Sequence, residues 1–112
     1  MGRRKTVHPP SDRCALCDRE RPLTFHHLVP RSQHRRRWCK ARFTKDQMDT
    51  GADLCTDCHS AIHRFISEVE LARNFYTLDQ LRAHPEMAKF IAWAAKRPPE
   101  FNSRVPGKRR KL

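Results

Sequence analysis

The sequence predicts a small α+β domain stapled by a zinc ion. Three observations carry that fold class. Two Cys-x-x-Cys pairs, Cys14/Cys17 and Cys55/Cys58, supply the four thiolates that a closed tetrahedral site needs. A segment rich in β-branched and aromatic residues, 23–29, stops at Pro30 and predicts a strand. From about Thr56 the apolar residues Ile62, Phe65, Ile66 and Val69 recur at i, i+3, i+4 and i+7, the period of an amphipathic helix. At 112 residues, 38% of them hydrophobic, the chain is expected to make one domain with only a modest core, for which a metal staple is welcome.

The elements follow in chain order. Residues 1–11 are basic, end in Pro9-Pro10-Ser11, and predict a flexible arm. Residues 12–22 hold the first knuckle, and 23–29 the strand with His26 and His27. Residues 30–43 predict a basic loop around His34-Arg35-Arg36-Arg37-Trp38. Thr44-x-x-Gln47 is a capping box and predicts a short helix over about 45–49, which Gly51 ends. The second knuckle then opens the helix that carries His59 and His63. Thr77-x-x-Gln80 opens another short helix to about Ala83. Pro85 suits the first turn of a last helix, with Met87, Phe90, Ile91 and Ala94 on one face and Trp93 beside them in the core; His84 would cap it. Pro98-Pro99 ends it, and 98–112 predicts a basic, disordered tail. The domain is therefore expected over 12–97, with its chemical part at 14–66 and extra helices at 68–97.

The cysteine spacing lets both sulfurs of one turn reach a single ion. A redox pair is the alternative, but the βαβ surroundings of a thioredoxin-like CxxC are missing. The fifth cysteine, Cys39, reads as a free, partly buried thiol. Four cysteines already complete one zinc site, so His26, His27, His59 and His63 point to a second, chemical one. His59 and His63 stand at i and i+4 of a helix and share a face, so both can reach one ion. His26 and His27 are neighbours on a strand and point to opposite faces. One can complete the ligand set while the other meets a substrate. The alternative is one core and one surface histidine.

These residues together resemble the HNH (ββα-metal) endonucleases, in the variant with a four-cysteine zinc site. The matching text is Cys14-x-x-Cys17, then His26-His27-Leu28-Val29-Pro30-Arg31, then Leu54-Cys55-Thr56-Asp57-Cys58-His59-Ser60-Ala61-Ile62-His63. The resemblance covers about residues 14–66. It implies a ββα-metal motif, His27 as general base, and His26, His59 and His63 holding one divalent ion such as Mg²⁺, Mn²⁺ or Ni²⁺. It also implies hydrolysis of DNA phosphodiester bonds. The family's central Asn has no counterpart here: counting back nine residues from His59 reaches Thr50. Thr50, or Asp53 nearby, is expected to hold the His27 ring in that role.

Net charge is +12, from 24 Lys and Arg against 12 Asp and Glu, which calls for a polyanionic partner. Arg31, Arg35, Arg36, Arg37 and Lys40 crowd the loop after His27 and are expected to contact phosphates; a merely solvated loop is the plainer reading. The charge fits nucleic acid, and the resemblance makes DNA the expected partner, with no membrane and no small-molecule cofactor. No run of about 18 apolar residues exists, the start does not read as a secretory signal, and the cysteine usage suits a reducing compartment, so the cytoplasm is the expected location. The competing function is a non-catalytic zinc-ribbon module that binds nucleic acid. It would need only the four cysteines and the charge.

Overall fold

The structure, a computed structural model, describes residues 5–9 and 11–98. The expected tail lies outside the described residues apart from Pro98, as does the arm before Lys5.

The frame is a small sheet with helices around it, an α+β arrangement as expected. Strand β2, Leu23–His27, pairs antiparallel with β3, Thr50–Cys55, and a two-residue strand β1, Lys5–Thr6, runs parallel to β3 on its other edge. The register sets His26 opposite Ala52 and His27 opposite Gly51. Lys5–Thr6 correct the reading of 1–11 as a free arm: their backbone is paired to Thr50 and Gly51, and Val7 donates to the Gly51 carbonyl at 3.0 Å.

Gly51 was expected only to break a pattern, yet it lies inside β3. A Cβ there would sit 2.6 Å from Cζ of Phe25 and clash with the His26 carbonyl oxygen. Glycine is what lets the Phe25 ring cross the neighbouring strand.

Between β2 and β3, a 3-10 turn, Arg31–Gln33, leads to helices α1, Arg37–Arg42, and α2, Lys45–Met48. The capping box of Thr44 with Gln47 is present at α2. Helix α1 occupies what reads as loop. Cys39 and Phe43 bury its inner side against Val29 and Ala72, with Trp38, Met48 and Tyr76 around them. Tertiary burial, not propensity, forms this turn of helix.

After β3 come α3, Thr56–Phe65, α4, Glu68–Asn74, α5, Leu78–Ala83, and α6, Pro85–Ala95. The apolar stripe from Ile62 to Val69 is not one helix. The chain is extended at Ile66 and Ser67, and the Ser67 hydroxyl accepts from the Glu70 N–H to start α4. Val69 is consequently exposed. The main core joins Leu54 of β3 and Ala61 and Ile62 of α3 to Leu71, Leu81, Met87 and Ala94. His84 caps α6 as expected, its Nδ1 accepting from the Met87 N–H. Trp93 departs from expectation: it is 39% exposed, with the Arg97 guanidinium over its ring. Among the described residues no helix is long and apolar enough to cross a membrane.

Candidate metal centres

The first centre gathers Cys14, Cys17, Cys55 and Cys58, all buried, with the four sulfurs within 4.8 Å of one another. Cys14/Cys17 sit in a tight hairpin. Arg13 bridges Glu20, the Cys14 N–H donates to the Arg19 carbonyl, and Asp18 takes the left-handed conformation (φ 65°) that lets the chain fold back. The hairpin docks on β3 through the Ala15 N–H and the Asp53 carbonyl, 3.0 Å apart. Cys55 ends β3 and caps α3, its sulfur accepting from the Cys58 N–H. Sulfurs of Cys17 and Cys55 lie 3.7 Å apart. A tetrahedron with metal–sulfur bonds of about 2.3 Å has edges of about 3.8 Å, so the four residues fit a zinc ion. Among the thiols, mutual hydrogen bonding drives Cys17 far below its ordinary range and Cys55 down to about 6, while Cys14 and Cys58 are pushed up. Four sulfurs this close cannot each keep an independent proton, and a divalent cation relieves that competition.

One buried cation serves this centre. Arg19, only 4% exposed, donates from Nε to Cys17 Sγ at 3.4 Å and from Nη2 to Cys55 Sγ at 3.8 Å. Nη2 also pairs with the buried carboxylate of Asp57 at 2.9 Å, and Nη1 donates to the Pro98 carbonyl at 3.3 Å. The sequence reading missed both residues. Nothing local marks a pair 38 positions apart.

The second centre gathers His26, His59 and His63, each offering a ring nitrogen within 4.8 Å of the others. Ring centroids are 5.1 Å apart for His26–His59, 5.7 Å for His26–His63 and 5.1 Å for His59–His63. His26 is buried, and its Nε2 has no hydrogen-bond partner among the described residues. Burial, with the neighbouring charges of His59, His63 and His27 adding, lowers its pKa to about 3, so the ring is neutral and its lone pair available. Burial, then the charge of His63, lowers His59 as well.

Thr24 fixes the His59 ring. Its hydroxyl lies 3.2 Å from the Leu54 carbonyl and 2.8 Å from His59 Nδ1; with its one proton on that carbonyl it accepts from the Nδ1 N–H. The His59 lone pair is then on Nε2, free for an ion. Thr24 lies two residues before His26, on the same face of β2, a relation the strand period makes visible in the sequence. The centre opens to solvent through a space of about 460 Å³ lined by His59, Ser60, His63 and Arg64.

His27 is half-buried on the other face of β2, its ring edge-on to Phe25 at 4.9 Å. His34 lies 5.9 Å from it, and His34 Nε2 bonds the Val29 carbonyl at 2.7 Å. That bond ties the basic loop to the end of the histidine strand. Arg31, Arg35, Arg36, Arg37 and Lys40 are all exposed along it. The Thr50 hydroxyl donates to the Asp46 carbonyl at 2.8 Å, and Thr50 meets the histidine strand through its main chain, accepting from the Leu28 N–H. Asp53 pairs with Phe25 in the sheet, and its N–H donates to His8 Nε2 at 2.9 Å.

The chain is 36% identical over 88 residues to the uncharacterized protein YisB of Bacillus subtilis (strain 168), an alignment that covers 78% of this chain and 77% of the relative. The chain belongs to the YisB family. No protein-family model matches it, and no solved structure matches it. The family membership assigns no activity, so the chemistry of the two centres carries the functional argument.

Proposed function

We propose that this chain is a metal-dependent endonuclease of the HNH (ββα-metal) class that hydrolyses DNA phosphodiester bonds. The observation that carries the reading is the unpartnered Nε2 of buried His26, convergent with His59 and His63 beneath an opening to solvent. A buried ring nitrogen without a partner is costly unless a ligand satisfies it. Three imidazoles leave an ion's remaining positions for water and phosphate, unlike the closed cysteine centre.

His26, His59 and His63 would hold the ion, with Thr24 orienting His59. The chemistry such a site would supply is Lewis-acid polarisation of the scissile phosphate and stabilisation of the leaving 3′-oxygen. His27 takes the proton of the water that attacks phosphorus, and the P–O3′ bond breaks. Phe25 and His34 keep its ring at the strand end. Arg31, Arg35, Arg36, Arg37 and Lys40 would grip the flanking phosphates. Arg36 and Arg37 stand at the start of α1, where cations oppose the helix dipole, so helix stability does not account for them. The zinc-ribbon alternative uses the cysteines and the charge but leaves the orphaned His26 nitrogen without a purpose.

A plasmid-nicking assay with Mg²⁺, Mn²⁺ or Ni²⁺ tests the proposal. His27→Ala is expected to lower cleavage by about 10²–10⁴-fold while DNA binding persists. Cleavage equal to the parent's removes His27 from the base role. Absence of cleavage by the parent with every ion favours the binding module.

A further inference from the structure

We propose that Arg19 is the retention device of the cysteine centre: a buried guanidinium whose hydrogen bonds to Cys17 and Cys55 set how tightly the metal is held. The inference rests on the four cysteines being a zinc site and is independent of nuclease activity.

Four thiolates around a divalent cation leave a net charge of about −2 in a buried place, a costly arrangement unless donors and a countercharge face the sulfurs. The supply of donors is uneven. Cys14 Sγ accepts backbone N–H groups from Leu16 at 3.4 Å and Cys17 at 3.5 Å, and Cys55 Sγ accepts one from Cys58 at 3.4 Å. For Cys17 the nitrogen donor is Arg19 Nε, and for Cys55 Arg19 Nη2 adds a second. Arg19 therefore bridges one sulfur from each knuckle.

Its own placement is over-determined. Four N–H groups have named acceptors: two sulfurs, Asp57 Oδ2 and the Pro98 carbonyl. Asp57 is the second residue of α3, two positions before His59. The hairpin turn at Asp18 brings Arg19 back beneath the knuckle it follows. A planar fork can meet sulfur, carboxylate and carbonyl at once; the point charge of a lysine cannot. Each N–H donated to a thiolate stabilises its anionic form and dulls its nucleophilicity, and both effects favour the metal-bound state.

The test uses the full chain loaded with one zinc. Competition against a chromophoric chelator should show Arg19→Gln holding zinc about 10- to 100-fold more weakly than the parent, the usual effect of removing a partner of a metal ligand. Arg19→Lys should not restore parental affinity. Alkylation mapped by mass spectrometry should speed up at Cys17 and Cys55 and not at Cys14, a pattern that a general loss of stability would not give. Should Arg19→Gln fail to fold, Arg19→Met with Asp57→Leu replaces the ion pair by apolar side chains and removes the stranded charge. That double variant should fold and still release zinc readily. Parental affinity in the folded variants, or uniform alkylation of all four cysteines, overturns the proposal. A parent that takes up no stoichiometric zinc overturns both it and the zinc reading, and only that result touches the latter.

Discussion

The two candidate metal centres share helix α3 and differ in closure. The cysteine centre is buried on every side, its sulfurs met by backbone N–H groups and a guanidinium, and it joins a hairpin, a strand end and a helix start. In the histidine centre only His26 is fully buried; His59 is half-buried and His63 exposed beside the opening. A closed site spends its ligands on the fold, and an open one leaves positions for a reactant. Removing a ligand from each should therefore have unlike consequences.

The largest expected difference is in folding. Zinc bound by such peptides is worth on the order of 10 kcal/mol, comparable to the whole stability of a small domain. Cys55→Ala, or a chelator added to the parent, should abolish the cooperative melting transition followed by circular dichroism. His63→Ala, at an exposed position, should change stability by only about 0.5 kcal/mol. A Cys55→Ala protein that melts like the parent breaks the comparison. An equally destabilised His63→Ala protein makes the histidine centre structural too.

A second contrast is in acid. Burial, with the charges of His59, His63 and His27 adding, lowers the His26 pKa to about 3, against about 6.5 for an unfolded histidine. Between those values the unfolded chain binds a proton that the folded chain refuses. The His26 contribution to stability is thus intact above about pH 6.5 and declines as pH falls toward 3. Between pH 7 and pH 5 the parent should lose on the order of 2 kcal/mol that a His26→Leu protein, compared under the same zinc loading, does not lose. Urea midpoints at the two pH values measure it. Parallel pH dependence in the two proteins would mean that His26 takes up a proton readily and that its nitrogen is not held dry for an ion.

The sequence disclosed the two centres because their ligands repeat at fixed short spacings. Cys-x-x-Cys and His-x-x-x-His need only one turn of backbone to bring their atoms together, and the capping boxes at Thr44 and Thr77 are local for the same reason. Features imposed from a distance stayed hidden. Strand β3 carries Gly51, Ala52 and Asp53, poor strand formers, and is extended because β2 pairs with it along its length. Helix α1 alternates charged and apolar residues without a helical stripe and forms because Cys39 finds a buried place. The stripe from Ile62 to Val69 obeys the helical period across a break that only the Ser67 cap explains. Arg19 and Asp57, 38 positions apart, carry no local mark of the pair they form once the knuckle hairpin folds them together.

The smallest expected effect separates the basic loop from the other exposed cations. His34 fastens that loop beside His27, whereas Lys89 and Lys96 are exposed on and just after α6, away from β2 in the chain. A side chain that neutralises a phosphate releases a counterion, and each such contact steepens the fall of log affinity with log salt by about 0.9. Changing Arg35, Arg36 and Arg37 together to Gln in a His27→Ala background should lower that slope by about 2–3. The pair Lys89→Gln and Lys96→Gln should leave it nearly unchanged. Fluorescence anisotropy with a labelled duplex at several salt concentrations reads both. Position beside His27 is what marks the loop for phosphate contact, so equal slopes for the two variants would reduce the five loop cations to their share of a net charge of +12.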